Sequence, residues 1–254
     1  MWHLDVKYNT ETFKKNYRLY LMEALGLAIF MCSCCFFAGQ LWHQGAFLNI
    51  HFPTSMGKNL VMGLAMSLTA IIIFYSPLTA PSGSHINPAV SLVQYYLGNL
   101  SRLNCFFYII SQFTGGVLAV YIMGFLMKHT LTDAPVNYVV TVPGKGISNW
   151  KAAICEIGIG FIMITMVLHV SNSGLKKFTK IFAALLVYIY VVLAGPVSGF
   201  GMNPARSFAT AFPSGIYTAF WIYMLCPIVG MMSAAILFKR LSASKIKIKK
   251  YDSD

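Results

Sequence analysis

Ser82-Gly-Ser-His-Ile-Asn-Pro-Ala-Val90 and Ser198-Gly-Phe-Gly-Met-Asn-Pro-Ala-Arg-Ser207 are two versions of one pattern in a chain of 254 residues. Each runs from small residues through a non-helical stretch into Asn-Pro-Ala, which is a strong helix start. Asn is among the best N-caps, because its side-chain oxygen accepts from the N–H groups of the first turn. Pro is favoured at the next position, where its missing N–H costs nothing, and Ala lets two helix ends approach closely. With the oxygen of Asn87 or Asn203 used for capping, its NH₂ group is left as a pair of donors. The helices that follow, read as 87–97 and 203–212, have about ten residues and so about 15 Å of length. That is half of a hydrocarbon core roughly 30 Å thick. Two such pieces entering from opposite faces meet in the middle and together make one crossing.

Composition says why a bilayer is the relevant solvent. The chain is 57% hydrophobic and 10% charged, where a soluble domain carries about 25% charge. Four runs, 60–100, 103–127, 181–205 and 207–238, contain no Asp, Glu, Lys or Arg; 19–56 has only Glu23 and 152–175 only Glu156. A spanning helix needs about 20 mostly apolar residues. Six spans are read at about 18–40, 58–78, 103–127, 150–171, 178–196 and 216–239. The stretches 41–57 and 128–149 are read as outer loops. The first apolar stretch is longer than a signal-peptide core of roughly 7–15 residues, so it is read as a retained span.

The net charge of +12 raises nucleic acid as a partner, and its distribution argues against it. With both termini on the cytoplasmic side, 14 of the 19 lysines and arginines fall inside and four (Lys58, Lys128, Lys145, Lys151) outside, with Arg206 left over. That bias follows the positive-inside rule. The basic tail, about 240–254, reads as a solvated end near anionic headgroups. The six cysteines fall within spans and have no zinc or redox spacing, so they read as packing residues. No metal, cofactor or catalytic group is expected.

The chain repeats itself. Glu23 and Glu156 sit early in spans 1 and 4. Gln112-x-x-Gly115 in span 3 parallels Pro227-x-x-Gly230 in span 6. The two Asn-Pro-Ala segments follow spans 2 and 5. Two halves of three spans each, about 18–127 and 150–239, place the second upside down relative to the first, a plan common in membrane transport proteins. The expected fold is all-α, with six transmembrane helices and two re-entrant half-helices in an inverted 3+3 repeat. Residues 1–254 are read as a single transmembrane domain.

Through the two loops quoted above, and over roughly 18–240, the chain resembles the aquaporin, or major intrinsic protein, family. The resemblance implies a passive channel for water, with or without small neutral solutes such as glycerol, that excludes protons and ions. Asn87-Pro88-Ala89 and Asn203-Pro204-Ala205 are then the pore motifs, with helix dipoles aimed at one point. Water oxygen is held by the two Asn side chains, and the positive field opposes cations. Loop carbonyls around 83–86 and 199–202 are expected as acceptors along the pore, since non-helical backbone at membrane depth must line a wet path or be buried in protein. Arg206 is expected to narrow the outer mouth. The remaining constriction positions fall on Val191, Phe200 and either Met66 or Ser67, where Pro77 and Pro81 leave the register open. Water-selective members often carry His and an aromatic at two of these places, and this chain has neither there. Phe200 either walls a wide passage or closes it to water size.

Glu23, Glu156 and His85 are read as bracing the loops. The competing function is a proton- or ion-coupled secondary transporter on the same repeat, with the two acids titrating. An intramembrane enzyme would need a nucleophile or metal dyad at one depth, and none is apparent. The resemblance further implies a homotetramer in the inner or plasma membrane, and the lean loops suggest a bacterial member.

Overall fold

The computed structural model describes residues 2–251, with side chains over 11–242. The lysine side chains of the tail, Lys245 to Lys250, lie outside the described residues, although helical backbone continues to Tyr251. The elements are α1 (Trp2–Trp42), α2 (Phe47–His51), α3 (Ser55–Tyr75), α4 (Pro88–Tyr96), α5 (Arg102–Met127), α6 (His129–Thr132), α7 (Asn149–Ser171), α8 (Thr179–Leu193), α9 (Gly195–Ser198), α10 (Pro204–Ser214) and α11 (Phe220–Tyr251). No strand occurs among the described residues.

Among the described residues, five helices are long and apolar enough to cross a membrane: Glu11–Trp42 within α1, then α3, α5, α7, and Phe220–Ser242 within α11. The sixth crossing is α8, which continues through Ala194 into α9. Pro196 lies in this continuation, and a proline inside a helical run removes a backbone donor and kinks it. Large apolar side chains face outward, Phe125 at 78% and Ile154 at 68% exposure among them, a surface suited to lipid rather than water.

Several boundaries differ from the sequence reading for local reasons. α3 ends at Tyr75 rather than near 78, because Pro77 biases Ser76 away from helical backbone; Ser76 is extended at ψ 133°. α1 begins well before 18, and its added turns dock on α5. The Phe13 and Phe107 rings are 4.9 Å apart, and Asn16 Nδ2 donates to Asn104 Oδ1 at 3.2 Å. The loop at 41–57 contains α2, and that at 128–149 contains α6.

The halves are built alike. α1 packs along α5, and α7 along α11. A Cβ on Gly115 would lie 2.2 Å from the Ala24 carbonyl oxygen, and one on Gly230 would lie 2.2 Å from that of Ile157. Both helix pairs therefore touch backbone to backbone, the close approach that small residues permit in membranes. The half-helices are held inside this frame: α4 against α5 and α11, α10 against α5 and α11. With nine and eleven residues, they are roughly 14 and 17 Å long, and end to end they match one hydrocarbon core.

Candidate functional site: paired Asn-Pro-Ala turns and the pore constriction

Each half-helix begins as its sequence dictates. Asn87 Oδ1 accepts from Ala89 N at 2.9 Å. Asn203 Oδ1 accepts from Ala205 N at 3.0 Å and from Arg206 N at 3.3 Å. The amide groups then cross between halves. Asn87 Nδ2 donates to the Met202 carbonyl at 2.9 Å, and Asn203 Nδ2 donates to the Ile86 carbonyl at 2.7 Å. An amide NH₂ has two donors, so one per Asn remains for the pore, where the sequence reading had left both. The same bonds occupy the Ile86 and Met202 carbonyls, which were expected to serve as pore acceptors. Pro88, Ala89, Pro204 and Ala205 are buried beside them.

The loops that deliver these turns hold an unusual backbone. Gly83, Ser84 and Ile86 have φ of 91°, 49° and 42°; Gly199, Phe200 and Met202 have 82°, 50° and 47°. A β-branched residue such as Ile86 avoids positive φ, and each such residue costs on the order of 1–3 kcal/mol unless its surroundings over-determine it. Here the two buried carboxylates do so. Glu23 Oε1 accepts from Ser82 Oγ at 2.6 Å and His85 N at 2.9 Å, and its Oε2 from Ile86 N at 2.6 Å and Gln112 Nε2 at 2.8 Å. Glu156 Oε1 accepts from Ser198 Oγ at 2.6 Å and Gly201 N at 2.8 Å, and its Oε2 from Met202 N at 2.6 Å. Both acids are 0% exposed. The His85 ring bridges to Ser91 Oγ at 3.1 Å and stands edge-on to Tyr108.

The tyrosines Tyr108 and Tyr223 complete the frame. Their hydroxyls donate to the Ser82 and Ser198 carbonyls at 2.9 and 2.7 Å. Sequence reasoning missed them, although the repeat contains the signal: each lies four residues before the matched Gln112 and Pro227.

Two cavities flank these loops. The inner one, about 440 Å³, is lined by Asn87, Asn203, His85 and Lys180 among others. The outer one, about 240 Å³, is lined by Met66, Val191 and Cys34 among others. Each has room for several waters, at about 30 Å³ per water in the liquid. Phe30, Phe200 and Arg206 line both cavities and so form the partition between them. Met66 reaches the outer cavity, while Ser67 lines neither. Phe30 was not foreseen; with Cys34 and Ala38 it occupies one face of α1 at helical spacing. The outer loop was also underestimated, since Pro135, Val136, Val139 and Val140 wall the outer cavity. That loop is tied to the second re-entrant segment by Gly144 N donating to the Val197 carbonyl at 3.0 Å.

Arg206 is 8% exposed. Its Nη2 lies 3.8 Å from Cys34 Sγ, and its Nη1 has no hydrogen-bond partner. A buried cation with a spare donor at the partition is a fixed positive charge aimed at whatever occupies it.

Two helix N-termini facing a lined passage, held by matched halves of an all-helical membrane protein, define the class of pore-forming polytopic channels. Residues 10–238 match the family profile described as major intrinsic protein, and the chain belongs to that family. It is 31% identical over 226 residues to a probable aquaporin NIP-type of Nicotiana alata, covering 88% of this chain and 77% of that one. It is 27% identical over 215 residues to nodulin-26 of Glycine max, covering 84% and 73%. A match at 34% identity to aquaporin NIP2-2 of Zea mays covers 61% of this chain and spans only about half, 51%, of the maize protein. The X-ray structure of the aquaglyceroporin from Plasmodium falciparum superposes with a TM-score of 0.73, covering 91% of this chain and 99% of that one at 19% identity. The fold is therefore the aquaporin fold, and the protein is an integral, multi-pass membrane protein. The expectation of a bacterial member is not borne out, since these curated relatives are plant proteins.

Proposed function

We propose that the chain forms a passive transmembrane channel for water and small neutral solutes, and that residues 1–254 act as one channel unit. The observation that carries this reading is the crossed pair of Asn side chains. Asn87 and Asn203 each cap their own half-helix, brace the opposite loop, and keep one donor for the inner cavity that both line. A water oxygen bound there accepts from both, which turns its protons toward the two mouths and breaks a proton wire. The positive ends of α4 and α10 add a field that opposes cations.

Arg206, Phe200 and Phe30 form the narrowest partition in this reading, with Met66 and Val191 as the outer apolar wall. Glu23, Glu156 and His85 brace the loops. Both carboxylate oxygens of each acid accept from donors of their own half, which supports a structural role over proton coupling. The names of the plant relatives and of the structural neighbour support water and, through the latter, glycerol-like solutes. A homotetramer in the plasma membrane, with both termini cytoplasmic, is the accompanying assembly.

Stopped-flow light scattering on proteoliposomes tests the function. An osmotic jump with an impermeant sugar is expected to give fast shrinkage with a low activation energy. Shrinkage no faster than in empty liposomes, or flux that follows a proton gradient, overturns the passive channel.

A further inference from the structure

All six cysteines are free, and only Cys34 lines either cavity. Cys34 is 1% exposed yet borders the outer cavity, so in the folded protein it is closed to bulky reagents and meets only what fills that cavity. Arg206 supplies the second half of a site. Its Nη2 is 3.8 Å from the sulfur, and its unpartnered Nη1 belongs to a side chain that is 8% exposed and lines the same cavity. A guanidinium beside the sulfur can donate a charge-assisted hydrogen bond to an oxygen that becomes anionic as it departs. The site thus suits a small, neutral electrophile whose departing fragment carries an anionic oxygen.

We propose that Cys34 is an oxidisable site in the pore wall, where a small peroxide entering by the outer cavity is reduced and the product obstructs the partition. The inference rests on the channel reading above, since a neutral, water-sized peroxide must reach this depth. In the step, the Cys34 sulfur attacks one oxygen of hydrogen peroxide. The S–O bond forms as the O–O bond breaks, and sulfur gives up two electrons to the peroxide. The thiol proton passes to the departing hydroxide, which leaves as water. Cys34 is left as a sulfenic acid, a state that thiols reverse. Arg206 Nη2, 3.8 Å from the sulfur, is the donor at hand for the departing oxygen and then for the sulfenic oxygen. An added oxygen next to Phe30 and Phe200, tied to the guanidinium, narrows a passage of molecular width.

The test uses the full chain in proteoliposomes treated with hydrogen peroxide, with two readouts. Dimedone added as the treated protein is unfolded in sodium dodecyl sulfate, so that it reaches the buried sulfur, is expected to leave its adduct at Cys34 in peptide mass spectrometry. Osmotic permeability is expected to fall several-fold on treatment. In Cys34→Ser and Cys34→Ala, the ratio of treated to untreated permeability is expected to stay at one. Trapping at other cysteines with none at Cys34 overturns the site, and trapping at Cys34 with an unchanged ratio overturns the obstruction. If untreated liposomes conduct no faster than empty ones, the channel reading fails, and trapping alone then decides whether Cys34 is the oxidised residue.

Discussion

Asn203, in the second half of the chain, donates its amide N–H to the carbonyl of Ile86 in the first, 2.7 Å away. The reciprocal bond runs from Asn87 to Met202. The two loops are thus fastened to each other by the same side chains that cap their helices. Asn203→Asp keeps the capping oxygen but loses the donor, and sets a carboxylate against the Ile86 carbonyl. It also places a negative charge at the point where two helix dipoles are positive. The variant is expected to insert and fold yet leak cations. Pyranine-loaded liposomes under a potassium diffusion potential would report proton entry well above that of the parent; an unchanged leak would remove Asn203 from ion exclusion.

Glu156→Gln examines the bracing. The carboxylate presents two acceptor oxygens to Ser198 Oγ, Gly201 N and Met202 N, whereas an amide keeps one and turns a donor toward another donor. Leaving a buried donor unsatisfied costs about 1–3 kcal/mol, and the positive φ at Phe200 and Met202 loses its restraint. Both a lower melting temperature in detergent and a reduced osmotic permeability are expected. A proton-coupled transporter would instead lose gradient dependence while its stability held.

Gly115→Ala and Gly158→Ala form a contrasting pair. A Cβ at Gly115 meets the Ala24 backbone at 2.2 Å, where no rotamer change relieves it, while at Gly158 nothing lies within 4 Å. Overpacking costs typically about 1–3 kcal/mol and occasionally more. Replacing a helical Gly by Ala in open space gains roughly 0.5–1 kcal/mol. Thermal melts should therefore move in opposite directions, down for Gly115→Ala and level or up for Gly158→Ala.

The parts of this structure legible in the sequence are those fixed by local chemistry. Asn-Pro-Ala specifies a capped helix start wherever it stands, so α4 and α10 were placed to within two residues. The isolated acids Glu23 and Glu156 had to find donors, and the Asn-Pro-Ala loop of each half offered backbone N–H groups free of any helix. What escaped was set by side-chain direction across separate elements. Phe30 reaches the partition from α1, and Val139 and Val140 reach the outer cavity from a loop with no sequence motif. The choice between Met66 and Ser67 turned on where Pro77 ended α3. The crossed amide bonds were invisible because they join residues over a hundred positions apart.

The partition of Phe30, Phe200 and Arg206 makes the solute range testable. Two aromatic side chains and one guanidinium border both cavities there, so passage depends on the room the rings leave and on a single strong donor. Phe200→Ala removes a ring that borders both cavities, while Asn203 Oδ1 still accepts from Arg206 N. Glycerol re-swelling after an osmotic jump is expected to accelerate several-fold relative to water flux, and Phe30→Ala is expected to act in the same direction. Met66→Ala should widen the outer wall with a smaller effect, and Ser67→Ala should leave the ratio unchanged, because Ser67 lines neither cavity. If Phe200→Ala and Phe30→Ala both leave the glycerol-to-water ratio at the parental value, the narrowest point lies elsewhere, and the paired Asn turns become the next place to look for it.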